Sequence, residues 1–158
     1  MASQHSGHSG KNMHYLHFGI MLVLNFVAMY VLMYAMVDVL GNVYSSFNQV
    51  YMAGLMTAPM AVMEIALMRG MYQNRAWNIA IASAGVALLV VLWWAIRVQA
   101  AIGDAQFIRS MIPHHAGAIL MCKEAPIEDA ELKQLCQEII SGQQQEIDQM
   151  KAILDRLK

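Results

Sequence analysis

The chain has 158 residues, of which 58% are apolar and only 13% charged, and its formal net charge is −1. A soluble domain carries about 25% charged residues, so this composition excludes an ordinary water-soluble globule, and the lack of a basic tract excludes a nucleic-acid surface. Two cysteines are too few for a disulfide scaffold.

Residues 1–13 are rich in Ser, Gly and His, with Lys11 as the one charge, and a flexible tail is expected there. They lack the basic start, short apolar core and small-residue cleavage site of a secretory signal, so the first apolar segment reads as a retained anchor. His5, His8, His14 and His17, with Met13, make this end either a weak metal-collecting segment or a polar tail with interfacial histidines.

Three apolar segments follow, near 15–39, 50–68 and 77–98. A helix needs about 20 such residues to cross a bilayer, so residues 14–98 are expected to form a three-helix transmembrane region. Tyr15, Phe18, Tyr51, Trp77, Trp93 and Trp94 mark the edges, as interfacial aromatics do. Lys11, Arg69 and Arg75 fall on one side, and the first loop carries no positive charge. Arg97 and Arg109 lie near the end of the third span on the other side, so the bias is modest, and by the positive-inside rule it favours a cytoplasmic N-terminus and a C-terminal domain outside. In a bacterial inner membrane that side is the periplasm.

The chain holds 15 methionines, and they fall in stripes on two spans. Met21, Met29, Met33 and Met36, with Asn25, share an arc of the first span. Met52, Met56, Met60 and Met63 share an arc of the second. Flexible thioethers filling helix interfaces account for such stripes; a sulfur ladder passing copper(I) is the functional alternative. Glu64 near the end of the second span is a functional candidate, as intramembrane acids are, or a partner for Arg69. Ala80 with Ala84 and Ser83 with Ala87 offer small-residue packing in the third span.

Residues 99–158 change character, with Gln, Glu, Lys and Asp at helical spacing. One helix is expected over 104–123, continuing from the third span, with a turn at 124–129 and a second helix, capped by Asp129, running to about 157. In that second helix Leu132, Cys136, Ile139, Gln143, Glu146, Met150, Ile153 and Leu157 follow the four-three spacing of a buried seam. Folding the pair antiparallel sets His115 level with Gln143, Met111 with Glu146, and Phe107 with Met150. A buried Glu146 would be costly without a partner, and a metal or a histidine proton would satisfy it. Met111 and His115 share a face, whereas His114 points about 100° away, on the stripe of Met121. Pro113 is expected to kink the first helix.

Met111-Ile-Pro-His-His, followed by Met121 and Cys122, gathers imidazole and sulfur, the donors that suit copper(I). Ordinary hydrogen-bonded histidines and methionine core filler are the plainer reading. Cys122 and Cys136 should face each other, as a disulfide, a copper(I)-binding dithiol or two small buried residues.

The residues Asp104-x-x-Phe107, Met111-Ile-Pro-His-His-Ala-Gly-Ala-Ile and Gln144-x-Glu146-Ile147-x-x-Met150 resemble the ferritin-like domain-of-unknown-function 305 family, which includes CopM-type copper-binding proteins. The resemblance covers about 104–154 and implies a helical-bundle domain that binds copper(I), or silver(I) as a mimic, through His and Met. By position the implied ligands are Met111, His114, His115, Met121 and Met150. Ala116 stands where Gln is more usual, and one hairpin stands where tandem members supply four helices. A homo-oligomer is therefore expected to complete the bundle.

The fold expected is all-α: three transmembrane helices in the lipid bilayer, then a ferritin-like hairpin over 99–158. The function expected is membrane-anchored copper(I) binding for tolerance, sequestration or delivery. Copper transport along the methionine stripes and a metal-free interaction module are the alternatives. No nucleophile-base set or di-iron carboxylate motif points to an enzyme.

Overall fold

The computed structural model describes residues 6–157, with side chains from residue 13 onward. The expected tail with His5 and His8 lies outside the residues whose side chains are described. The described chain is all helical: α1 (Ser6–Leu32), α2 (Phe47–Leu67), α3 (Arg75–Arg97), α4 (Asp104–Glu124) and α5 (Ala130–Arg156). Short 3₁₀ turns at Met33–Met36 and Leu40–Asn42 join α1 to α2. The helix reaches back to Ser6, into the stretch expected to be flexible.

Three stretches, Met13–Met36, Phe47–Leu67 and Arg75–Arg97, are long and apolar enough to cross a membrane. Only 6% of the first apolar window and 11% of the third are buried within the protein. Side chains such as Leu16, Val23, Leu24, Val90 and Val91 point outward. That much exposed apolar surface fits lipid as the surrounding solvent.

The chain divides into two compact units, one of residues 1–31 and 50–100, the other of 32–49 and 101–158. In the first, α2 buries a small-residue face, Ala53, Gly54, Thr57, Ala58, Ala61 and Ile65. Two glycines let helices meet. A methyl group on Gly85 would lie 2.8 Å from Val62 Cγ2, and one on Gly54 2.7 Å from Leu92 Cδ1. The close packing expected from Ala80, Ala84, Ser83 and Ala87 is thus carried at Gly85 and Gly54. Met52, Met56 and Met63 are exposed, on the opposite side of α2 from this packed face.

An aromatic and polar cluster ties the ends of the spans. Tyr72 is buried, with its ring 5.7 Å from Phe18 and 5.3 Å from Tyr15. Its hydroxyl donates to Glu64 Oε1 at 3.2 Å. Glu64 therefore has a phenol as its partner. Tyr15 donates to Asn78 Oδ1 at 2.8 Å, and Asn78 Nδ2 donates to the Tyr72 carbonyl at 2.7 Å. Burial, and then the Glu64 hydrogen bond and charge, push the Tyr72 phenol above its ordinary value.

The third span does not run on into the hairpin. Ala100 N donates to Ala95 O at 2.9 Å and Gln99 N to Ile96 O at 3.3 Å, with Gln99 at φ 51°. These are the paired bonds and left-handed residue of a Schellman stop, here without the usual glycine. Ala101 is also left-handed, at φ 57°, and α4 starts afresh with Gly103 as its N-cap.

In the second unit α4 and α5 pack antiparallel around Ile108, Ile112, Ala116, Ile119, Ile147 and Leu154. Asp129 caps α5 as expected, accepting from Leu132 N at 2.8 Å. Cys122 and Cys136 face each other across the hairpin as a disulfide, with Cα atoms 5.2 Å apart. α4 stays helical through Pro113, which is buried.

The predicted seam of α5 is displaced. Ile147 and Leu154 are buried, while Glu146, Leu132 and Leu157 are exposed. Only Cys136, and in part Ile139, Gln143, Met150 and Ile153, keep their expected burial. Aliphatic residues one step along the helix took the inner line, because no buried carboxylate then has to be compensated.

Residues 32–49 complete this unit. Val37 and Tyr44 pack against its core. Lys151 Nζ donates to the buried Asn42 Oδ1 at 2.6 Å, and Asn42 Nδ2 donates to Asp38 Oδ1 at 2.7 Å. Phe47 N donates to Gln106 Oε1 at 3.0 Å. In a three-span chain both stretches leave the membrane on the same face, so their union fits the three crossings.

Candidate functional site

α4 brings Met111 and His115 onto neighbouring turns, and the hairpin sets His115 against Glu146 of α5. The His115 side chain is only 11% exposed and lies 2.7 Å, Nε2 to Oε2, from Glu146, which is 57% exposed. Its other ring nitrogen, Nδ1, lies 2.9 Å from the Met111 carbonyl oxygen. A carbonyl can only accept, so Nδ1 carries a proton. The Nε2 contact with a carboxylate then holds one further proton, on the ring or on Glu146. Glu146 sits at the rim of the hairpin and is not the buried acid that the seam predicts, so it carries no burial cost for a partner to offset. Gln143, the residue expected opposite His115, is half-buried, and Glu146 takes that role.

The thioethers flank this pair by register. Met111 is one turn before His115 on α4, and Met150 is one turn after Glu146 on the antiparallel α5. Both therefore lie on the side of the pair away from the hairpin turn. Met111 is half-buried, and Met150 packs against the aliphatic core. His114 is exposed, with its ring centre 6.2 Å from that of His115. Met121 is exposed two turns on from His114. Cys122 does not join them as a thiolate ligand, because its sulfur is bonded to Cys136.

The seven sequence candidates thus separate into three groups. His115, Glu146 and the carbonyl of Met111 are joined by hydrogen bonds, with Met150 one turn away. His114 and Met121 face outward on α4. Cys122 forms the covalent clasp. Among the described residues no three His, Cys, Asp or Glu side chains converge to hold an ion. A tetrahedral centre built from those groups is therefore not preassembled in one chain. The donor set fits a soft ion of low coordination number better than zinc. Sequence reasoning missed the Met111 carbonyl as a partner, although the four-residue spacing to His115 was visible.

Comparison with known proteins extends the likeness beyond the hairpin. The sequence matches the family described as Domain of unknown function (DUF305) over residues 48–154, which takes in α2 and α3 as well as the hairpin. It is also 35% identical over 142 residues to "Uncharacterized protein L153" of Acanthamoeba polyphaga mimivirus, covering 88% of this chain and 91% of that protein. No solved structure matches. The Met-Ile-Pro-His-His motif on α4, the hairpin around it and a match across well over half the chain together make this protein a member of the DUF305 family.

Proposed function

We propose that this protein is a membrane-anchored copper(I)-binding protein that acts in copper tolerance, sequestration or delivery. The observation that carries this reading is the anchoring of His115. Its Nδ1–H on the Met111 carbonyl fixes the ring and directs Nε2 toward α5. Histidines that ligate metals are commonly held in this way, by a bond from the other nitrogen to a carbonyl. In this reading His115 supplies nitrogen, Met111 and Met150 supply sulfur, and Glu146 takes the proton that the ion displaces. His114 and Met121 form an outer pair of donors. Silver(I) stands in for copper(I).

The hairpin lies outside the cytoplasm, at the bacterial inner membrane, with the N-terminus inside. A second copy covers the exposed Phe107, Leu132 and Leu135, which makes the working form a homo-oligomer. Binding and not catalysis is the role. The exposed Met52, Met56 and Met63 support tolerance over conduction, since within one chain they face away from the packed side of α2.

The test is metal content. Purified full-length protein in detergent, with its disulfide intact, should retain copper(I) or silver(I) against a competing chelator and should hold zinc far more weakly. The triple variant Met111→Leu, His115→Ala, Met150→Leu should lose the stoichiometric ion. Unchanged copper in that variant would sink the assignment.

A further inference from the structure

The hairpin carries a second group of soft donors that the His115 site does not use. Cys122 lies in the last turn of α4 and Cys136 in α5, on facing surfaces next to the hairpin turn. Their Cα atoms are 5.2 Å apart. Cys136 is buried and Cys122 is half-buried, so the pair lies at the edge of the hairpin core. Met121, next to Cys122, is 54% exposed, and Lys123 follows it with an exposed cation.

We propose that the Cys122–Cys136 pair is a redox-gated binding site for a soft monovalent cation, separate from the His115 site and independent of it. In the oxidised form the sulfurs are bonded to each other and have no thiolate to offer. Two equivalents of a small thiol open the site. The disulfide takes up two electrons and two protons to become two cysteine thiols, and the two small thiols become their disulfide. A copper(I) or silver(I) ion then replaces the two thiol protons, which leave to solvent, and is held between two thiolates. A rotation of the half-buried Cys122 side chain makes room for the ion between the sulfurs. The hairpin persists meanwhile, because the Ile112, Ile119 and Ile147 core holds α4 to α5 without the clasp.

The gate gives the hairpin two loading states. Under oxidising conditions only the histidine-thioether donors remain. Under reducing conditions the thiolate pair adds a further site near the turn, beyond the level of His115. Bound metal also blocks reoxidation, since both sulfurs are then occupied.

The experiment compares silver(I) stoichiometry in full-length protein held in detergent. One portion keeps its disulfide. The other is reduced with a phosphine, freed of reductant without air, and shown by thiol assay to carry two free thiols. The reduced protein should bind one more silver ion per chain than the oxidised protein. The Cys122→Ser, Cys136→Ser variant should match the oxidised protein under both conditions, with helical content checked by circular dichroism. His115→Ala should lose the ion that oxidised protein binds and keep the extra one. Equal stoichiometry in oxidised and reduced wild-type protein would overturn the proposal, as would an extra ion that survives in the serine variant. Two free thiols in the untreated protein would overturn the gate. If oxidised protein binds nothing while reduced protein binds one ion, the cysteine site stands and the His115 reading fails.

Discussion

Methionine is abundant in both units of this protein, but it sits in different surroundings in each. In the span unit Met52, Met56 and Met63 turn outward, while alanines, glycines and a threonine make the packed face of α2. In the hairpin unit Met111 lends its carbonyl to a fixed histidine, and Met150 lies against an aliphatic core one turn from Glu146. An exposed thioether needs no partner, because its sulfur is only a weak acceptor. In the hairpin the thioethers of Met111 and Met150 stand one helical turn from a hydrogen-bonded His115–Glu146 pair. A count of methionines therefore does not locate a site; the polar group that orders the neighbourhood does.

The strongest way to sharpen this contrast is to open the hairpin core. Ile147 is fully buried, and Ile147→Ala should destabilise the second unit by about 2–5 kcal/mol. Hydrogen exchange should show faster exchange throughout α4 and α5, with α2 and α3 little changed. Uniform loss of protection in both units would mean that they do not behave separately.

A smaller effect is expected at the polar cluster of the span unit. Tyr72→Phe removes the hydrogen bond to Glu64 and should cost about 1 kcal/mol. The same phenol gives a pH test. Its value is raised above 10.0 when folded, so the folded state holds the proton more tightly than the unfolded chain. Its contribution to stability is fully present below pH 10 and fades as the pH rises through the folded value. Phenolate absorbance should therefore rise later for Tyr72 than for exposed tyrosines, and Tyr72→Phe should reduce the alkaline sensitivity. An unchanged alkaline profile in the variant would break the assignment.

The smallest effect should come from the methionines that first draw the eye. Changing Met52, Met56 and Met60 together to Leu conserves apolarity and nearly conserves volume. Each exchange should cost less than about 1.5 kcal/mol, and copper content should not change. Loss of copper movement across reconstituted vesicles, with the hairpin site still filled, would favour the transport reading.

Much of the fold was legible in the sequence because it is written in local periods. Three runs of apolar residues gave three spans, a switch to mixed polarity gave the hairpin, and Asp129 marked the start of α5. The two cysteines could be paired because an antiparallel hairpin fixes which residues are level. The seam of α5 was misplaced because the four-three line through Leu132 and Glu146 lies next to the line through Ile147 and Leu154, and both contain apolar residues. Only the packing partner decides between them. The stop after α3 was missed because Gln99 takes a left-handed conformation usually filled by glycine. The role of residues 32–49 was hidden for another reason. Asn42 meets Lys151 across a separation of 109 residues, and no local pattern records such a contact. At the site, the residue types and the divergence of His114 from His115 were legible, but that Glu146 and not Gln143 meets His115 needed the partner helix.

The strap from residue 32 to residue 49 also bears on how the protein is made. It leaves the ribosome before α2 and α3, yet the helices it packs against are synthesised last. Until then Asn42 has no Lys151 to meet, and Val37 and Tyr44 have no core to cover. The second unit can therefore close only after α4 and α5 have been translated. The contact thus ties closure of the second unit to completion of the chain.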